Sequence, residues 1–333
     1  MSDSEALLAA VAAAPDEDTP RLMYADWRAE HDDPERAEFI RLQLALSKRS
    51  YEDLGYGYAG KEAMTARENA LLNNNGERWQ REVYTQSSFI KNIWFERGFP
   101  HTLVISNERR YLENASQLHA LHPIQGLATY EITSDSNIRE LVRSPWLGRL
   151  RKLDLRGGSW LTDTGVAALL NSPDIVGLTH LTIARSHVTD EGAAQLAATT
   201  RLPNLEYLDC SGNQFTSRGT RTIATSSAFP KLTELRLQWC PITPDDATAV
   251  AQSPELAKLD ALLLDGHSTG DTVRPAVLRA FAQSPHCRDD MTICIGHDGY
   301  RPSHQPRYTG AFADYKHWAR SGGYSRDPAG PEL

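Results

Sequence analysis

The sequence predicts an α/β solenoid, with parallel strands on a concave side and helices on a convex side, behind an all-α amino-terminal head. Three observations carry that reading. An apolar template, L-x-x-L-x-L, returns at a nearly constant step. Each copy is followed by a Thr-led segment rich in Ala and Leu, and each unit closes on a return that carries proline. Self-similarity at a period of this size is the mark of a repeat architecture.

The strands come first in each unit. The template is met by Leu150, Leu153 and Leu155, by Leu178, Leu181 and Ile183, and by Leu205, Leu208 and Cys210. It returns as Leu232, Leu235 and Leu237, and as Leu259, Leu262 and Leu264. The starting positions lie 28, 27, 27 and 27 residues apart, with the one-residue slip near Gly157 and Gly158. Ile124, Leu127 and Thr129 form a weaker copy, Leu103 and Ile105 belong to an irregular first strand, and Met291 to Ile295 reads as the last one.

Helices follow. Thr162-Asp163-Thr164-Gly165, Thr189-Asp190-Glu191-Gly192, Thr216-Ser217-Arg218-Gly219 and Thr243-Pro244-Asp245-Asp246 stand at matching places. A Thr hydroxyl accepts from an unpaired first-turn amide, and Pro244 falls at the first helical position, where proline is tolerated. Val166, Leu169 and Leu170, then Ala193, Leu196 and Ala197, recur at helical spacing. Pro173, Pro203, Pro230, Pro254 and Pro285 mark the returns.

This pattern resembles the ribonuclease-inhibitor-like type of leucine-rich repeat, by unit length and by the full helix in each unit. The resemblance covers roughly residues 98 to 295 and implies a curved stack in which no unit buries its apolar face alone. Asn213 holds the place where an asparagine side chain satisfies turn backbone. Cys240 holds the equivalent place one unit on, and Cys210 replaces a core Leu, so both cysteines read as structural.

Residues 1 to 50 contain no repeat. Ala6, Leu7, Ala10 and Val11 fit one helix, and Leu22, Met23, Ala25 and Trp27 a second. Asp33 caps a third that opens on Pro34 and carries Phe39, Ile40, Leu42, Leu44 and Leu46. The run Ala14-Pro15-Asp16-Glu17-Asp18-Thr19-Pro20-Arg21-Leu22-Met23-Tyr24-Ala25-Asp26-Trp27, with Asp33-Pro34-Glu35-Arg36-Ala37-Glu38-Phe39-Ile40-Arg41-Leu42-Gln43, resembles the bacterial repeat-companion domain. Arg67 to Leu72, Trp79 and Phe95-Glu96-Arg97-Gly98-Phe99 are similar to the linking region of the same proteins. The resemblance implies an architecture and no reaction.

Between the two parts, Tyr51 to Gly60 reads as a hinge loop and Lys61 to Leu72 as a helix. Asn73-Asn74-Asn75-Gly76 reads as a turn, and Glu77 to Tyr84 as a second helix capping the open end of the array. The expected domains are thus 1–50, 51–97, 98–295 and a carboxyl-terminal cap or tail at 296–333.

Composition narrows the function. The 333 residues carry 35 basic and 43 acidic side chains, a formal charge of −8, which opposes general nucleic-acid binding. The longest apolar run, Ala6 to Ala14, is too short to span a bilayer and follows an acidic stretch, unlike a secretory signal. Four cysteines make no disulfide scaffold, so the expectation is a cytoplasmic protein with reduced thiols.

No phosphate loop, dinucleotide fingerprint, H-E-x-x-H or nucleophile elbow is present. His286, Cys287, Cys294 and His297 lack the short C-x-x-C spacing of a zinc site. His119 and His122 read as a surface loop, and Asp32, Asp33, Glu35 and Glu38 as a cap and first helical turn. The expectation is therefore no catalytic residue, no cofactor and no metal.

The concave face remains. Residues between the Leu positions alternate outward: Lys152, Asp154 and Arg156; His180, Thr182 and Ala184; Tyr207, Asp209 and Ser211; Glu234, Arg236 and Gln238; Ala261, Leu263 and Asp265. Arg185 and Trp239 fall just past their strands, on the rim. Arg156, Arg185, Tyr207, Asp209, Arg236, Gln238 and Trp239 are the candidate partner-binding residues, since Tyr, Trp and Arg carry most interface energy. The competing account has Asp154, Asp209 and Arg236, in one column, pairing only with each other. The tail mixes basic and aromatic residues, with Phe312, Tyr315 and Trp318 expected to dock as a cap.

The sequence thus predicts a non-enzymatic scaffold for a protein or peptide partner. The alternatives are an adaptor bridging two partners through head and solenoid, or an enzyme with an unfamiliar site near the carboxyl end.

Overall fold

A computed structural model describes residues 2–31, 33–47, 58–83, 89–129, 134–157, 161–264 and 274–294. The tail residues, Asp32, Asp265 and His297 lie outside them. The chain divides into two compact units, Met1–Tyr130 and Glu131–Leu333.

The first unit contains helices α1 (Asp3–Ala13), α2 (Thr19–Glu30), α3 (Pro34–Ser47) and α4 (Tyr58–Val83). A hairpin of β1 (Ile90–Glu96) and β2 (Phe99–Ile105) follows, then α5 (Glu108–Leu121) and β3 (Gly126–Thr129). Ser2 and Glu5 close a capping box on α1. Asp33 accepts from the Arg36 amide at 3.2 Å and so caps α3, as the sequence predicts. Val11, Tyr24, Ala25, Ala37, Ile40, Leu44 and Phe99 make one core, and Phe39, Leu71 and Trp79 a second.

The residues of the head motif hold that hairpin. Arg97 and Gly98 both take left-handed backbone (φ 51° and 83°), which a tight two-residue hairpin turn requires. A Cβ at Gly98 would lie 2.6 Å from the Ile40 Cα, so the close approach of hairpin to α3 needs glycine. The Arg97 guanidinium donates to the carbonyls of Pro15 (3.2 Å) and Asp16 (2.8 Å) and pairs with Asp18. Arg21 donates to Pro15 O at 2.6 Å and to Arg97 O at 3.2 Å. Two arginines thereby tie the loop before α2 to the hairpin turn.

Three expectations for this unit are corrected. Helix α4 begins at Tyr58, inside the stretch read as a loop, and runs unbroken through Asn73 to Gly76. Packing overrides the local turn signal: Leu71 and Trp79 are buried on either side, and Arg78 links the Asn75 amide oxygen (3.0 Å) to Asp33 (3.0 Å). Second, β2, which holds Leu103 and Ile105, is the second strand rather than the first. It pairs antiparallel with β1, whose register slips at two places, and parallel with β3. Third, His119 and His122 are buried rather than on a surface loop. His119 sits in the last turn of α5, with Nε2 2.9 Å from the Tyr111 hydroxyl.

The second unit repeats a strand and a helix. After α6 (Asp135–Leu141) come β4 (Lys152–Asp154), α7 (Asp163–Leu170), β5 (His180–Thr182) and α8 (Asp190–Ala198). They continue as β6 (Tyr207–Asp209), α9 (Ser217–Ala224), β7 (Glu234–Arg236) and α10 (Pro244–Ala251), then β8 (Ala261–Leu263), α11 (Arg274–Ala282) and β9 (Thr292–Cys294). Strands β4 to β9 pair in parallel and in sequence order, aligning Leu153, Leu181, Leu208, Leu235, Leu262 and Ile293 in one buried row. Burying a Leu side chain stabilises by roughly 1.5–3 kcal/mol, so this row and the parallel Leu rows hold the stack.

Thr162, Thr189, Thr216 and Thr243 all cap their helices. Asn213 acts as predicted. Its amide donates to Ile183 O (2.9 Å) and Cys210 O (2.8 Å), and its oxygen accepts from Val188 N (3.2 Å). The Cys240 thiol donates to Cys210 O at 3.7 Å. Burial pushes the Cys210 thiol well above the usual range and Cys240 to about 11, so both stay protonated and packed.

A second ladder links the helix starts. Asp135 accepts from Thr162 N (2.9 Å) and Oγ1 (2.7 Å), Asp163 from the same atoms of Thr189 (2.8 and 2.6 Å), and Asp190 from those of Thr216 (2.8 and 2.6 Å). Asp163 and Asp190 also accept from Gly192 N and Gly219 N, at 3.0 and 3.1 Å. The sequence shows these Thr-Asp pairs, yet periodicity alone does not reveal that each Asp serves the following unit.

Candidate concave binding face

Because the strands are in register, the outward side chains form two aligned rows. One runs Lys152, His180, Tyr207, Glu234, Ala261 and Thr292; the other runs Asp154, Thr182, Asp209, Arg236, Leu263 and Cys294. The parallel pairing thus brings Tyr207, Asp209 and Arg236 together as the sequence predicts, with Arg156 and Gln238 one alternation further along their own strands.

At the centre, flat groups lie side by side across three strands. The His180 and Tyr207 rings stack at 5.5 Å and 20°, and the Arg236 guanidinium lies 5.1 Å from the Tyr207 ring centre. Such stacks are worth about 0.5–1 kcal/mol each and fix the groups in place. His180 Nδ1 is held 2.9 Å from Thr179 Oγ1. Burial, then the Asp209 charge, raise the Tyr207 hydroxyl well above its usual range, so it remains a hydrogen-bond donor.

The ion pairs run along strands. Arg156 chelates Asp154, with Nη2 at 2.7 Å and Nε at 2.9 Å, and Arg236 pairs with Glu234 at 2.6 Å. Across the column, the Asp209 charge adds to those that raise the Arg236 pKa. Desolvation raises the Asp154 carboxyl despite the Arg156 pair, and the Asp209 charge adds to that rise. Asp209 itself is buried, and its Oδ1 accepts from Ser211 N at 2.9 Å. It is less exposed than Tyr207 and Arg236 on the same face.

Arg185 and Trp239 have a feature that sequence reading missed. Both take left-handed backbone, with φ of 56° and 62°, at the turn position where Gly157 and Gly212 have 75° and 66°. Aligning the units places Gly157, Arg185, Gly212 and Trp239 in one column, so the signal was available as an alternation of glycine with non-glycine. Lateral bonds hold three of these turns: Gly157 N to Ala184 O (2.9 Å), Arg185 N to Ser211 O (2.7 Å) and Gly212 N to Gln238 O (2.7 Å). A side chain in this region costs about 1 kcal/mol or more, a strain associated with functional positions. Trp239 is 42% exposed.

No cluster of three or more His, Cys, Asp or Glu fit to hold a metal ion is found among the described residues. Cys287 is buried and Cys294 exposed at the carboxyl end of the strand array. No helix among the described residues is long and apolar enough to cross a membrane.

The Leucine Rich repeat family profile matches residues 230–251, the unit built on β7 and α10. The repeated strand–helix units and their buried Leu rows make an α/β leucine-rich-repeat-like fold, with helices at the amino terminus. Among solved structures, the chain is similar to an internalin from Listeria monocytogenes, at 18% identity and a TM-score of 0.35, covering 61% of this chain and 48% of that one. A pollen receptor kinase 3 is 13% identical with a TM-score of 0.27, the match covering 64% of this chain and 83% of the other. The chain spans about half the length of the internalin structure it matches. No curated protein matches it.

Proposed function

We propose that this protein is a non-enzymatic scaffold that holds a protein or peptide partner on the concave face of its repeat unit. Leucine-rich-repeat domains are typically protein-interaction scaffolds. The observation that carries the reading here is the His180–Tyr207–Arg236 row. Its aromatic and guanidinium groups are already stacked and ion-paired, so little side-chain freedom remains to be lost on binding. Arg156, Arg185, Tyr207, Arg236, Gln238 and Trp239 are the proposed contacts, over a floor that includes Asp209.

The head is proposed to be a repeat-companion domain, on the strength of its motif residues. Its exposed Leu22, Met23 and Trp94 favour the adaptor version of this reading, in which the head engages a second partner. The test is affinity capture from lysate of the source organism, comparing wild type with an Arg236→Glu/Trp239→Ala double variant by mass spectrometry. A protein recovered only with wild type supports the concave site. Equal recoveries from both would refute it.

A further inference from the structure

Two strands of the concave face carry their own neutralising pair, and the strand between β5 and β7 does not. On β4, Asp154 accepts from the Arg156 amide at 3.1 Å and is chelated by the Arg156 guanidinium, with Nη2 at 2.7 Å. On β7, Arg236 pairs with Glu234 at 2.6 Å. On β6, Asp209 repeats the first half of the β4 arrangement: its Oδ1 accepts from the amide two residues on, at 2.9 Å. That residue is Ser211, whose hydroxyl oxygen accepts from the Gln238 amide at 3.1 Å and brings no charge. Among the described residues, Asp209 makes no ion pair.

Asp209 is 7% exposed, so folding has removed most of its water. Its charge acts on its neighbours, adding to the rise in pKa of Tyr207, Asp154 and Arg236. Arg236 stands beside it in the same row, but that guanidinium is held by Glu234 and lies over the Tyr207 ring. On the other side, the row passes from Asp209 over Thr182 to Asp154, and Ala184 follows Thr182 along β5; both β5 residues are small and buried. The stacked His180 and Tyr207 rings bound this strip in the neighbouring row. The outward charges of β4 to β7 balance in number, Lys152, Arg156 and Arg236 against Asp154, Asp209 and Glu234. The distinctive feature is therefore local: a nearly buried carboxylate with no cation bound to it.

We propose that Asp209 anchors a lysine or arginine side chain of the protein partner, which enters over Thr182 between Asp209 and Asp154. The inference rests on the scaffold reading above and gives its site a partner chemistry. Charge complementarity selects the occupant. The carboxylate is already desolvated in the free protein, so an arriving cation gains its attraction without that cost being added on binding. An acidic side chain would meet two carboxylates there, and a nucleic-acid backbone would be repelled by the same pair.

The probe is a phage-displayed library of random dodecapeptides, panned on the full chain at about 0.15 M salt, where exposed charges more than about 8 Å apart are screened. The leading peptide is synthesised with a fluorescein label, as selected and with each Lys or Arg replaced by Met, and titrated by anisotropy. Wild type is compared with Asp209→Asn, Asp245→Asn and the Arg236→Glu/Trp239→Ala double variant, each checked by thermal melting. Asp209→Asn keeps the acceptor for Ser211 N and removes the charge. Asp245→Asn removes an equal charge from an exposed position in the first turn of α10. Replacing one basic residue of the peptide is expected to cost about tenfold or more on wild type, and Asp209→Asn to lose about as much, with Asp245→Asn unchanged. The Met peptides are read on wild type, so that arm holds even if a variant misfolds.

The inference is overturned if the leading peptide needs no basic residue, if Asp209→Asn binds it like wild type, or if Asp245→Asn loses as much. A library that yields no binder would also overturn it. Loss confined to the double variant would remove the Asp209 anchor while leaving the concave reading in place. Binding unchanged in both Asp209→Asn and the double variant would remove both.

Discussion

Asp246 stands where the preceding units have glycine because Ser217 stands where they have aspartate. At Gly165, Gly192 and Gly219 an added Cβ would meet Oδ1 of Asp135, Asp163 and Asp190 at 2.3, 2.5 and 2.4 Å. Ser217 is shorter and leaves that space open. Asp246 fills it, donates its backbone N–H to the capping Thr243 Oγ1 (3.1 Å), accepts from that hydroxyl at Oδ2 (2.6 Å), and pairs with Arg221 at 3.2 Å. Burial works against the Asp246 charge, but bonds from Thr243 and Ser217 and the Arg221 charge outweigh it and lower its pKa.

The pair is therefore exchangeable as a unit. Ser217→Asp alone sets two carboxylates together, and Asp246→Gly alone removes the local cap and ion pair. Each is expected to destabilise by about 1–2 kcal/mol. Ser217→Asp/Asp246→Gly rebuilds the ladder of the earlier units and should recover most of both losses. Urea melts of the four proteins measure the coupling, expected at about 1–2 kcal/mol. Simple additivity would contradict the pairing.

Asn213 satisfies three buried backbone groups in two adjacent units. Asn213→Ala leaves Val188 N, Ile183 O and Cys210 O without that partner and should cost roughly 3 kcal/mol, more than a typical surface change. Asn213→Asp keeps the acceptor for Val188 N but puts a charge against two carbonyls, and is expected to be no better. Chemical denaturation reads both.

His122 should make the first unit sensitive to acid. Burial first, then the Arg36 and His119 charges, lower its pKa to about 4 from the ordinary value of 6.5. The unfolded chain then binds a proton between those values that the folded chain does not. The stability His122 confers is full above pH 6.5 and is lost as pH falls toward 4. The loss is at most about 3 kcal/mol, from a shift of roughly 2.5 pKa units. In His122→Leu, the fall in stability between pH 7 and 4 should be smaller than in wild type by up to that amount. An identical pH dependence would show that other groups control it.

The repeat array was legible in the sequence because its signals are local and periodic. Leu208 or Thr189 announces its role from its neighbours within a dozen residues, and Asn213 from its place in the template. Helix α4 was misread because the Asn-rich stretch is a local turn signal, whereas the Phe39–Trp79 contact that holds the helix is long-range. The burial of His119 and His122 likewise comes from packing that no spacing encodes. For the concave face, residue types could be placed from alternation alone. What pairs with what could not: Arg156 turns back to Asp154, and Arg236 to Glu234, through side-chain reach within a strand. The left-handed turns at Arg185 and Trp239 leave their trace only in the alignment of units, where both share a column with Gly157 and Gly212.

The central claim is that Trp239 is kept for binding at a position where the backbone favours glycine. Partner capture and thermal melting on the same preparations of wild type and Trp239→Gly test it most directly. Release of strain and the greater freedom of glycine in the unfolded chain roughly offset one another. Capture should therefore fall by about tenfold or more, while Tm stays within about 4 °C of wild type. Undiminished capture by a well-folded Trp239→Gly protein would contradict the account.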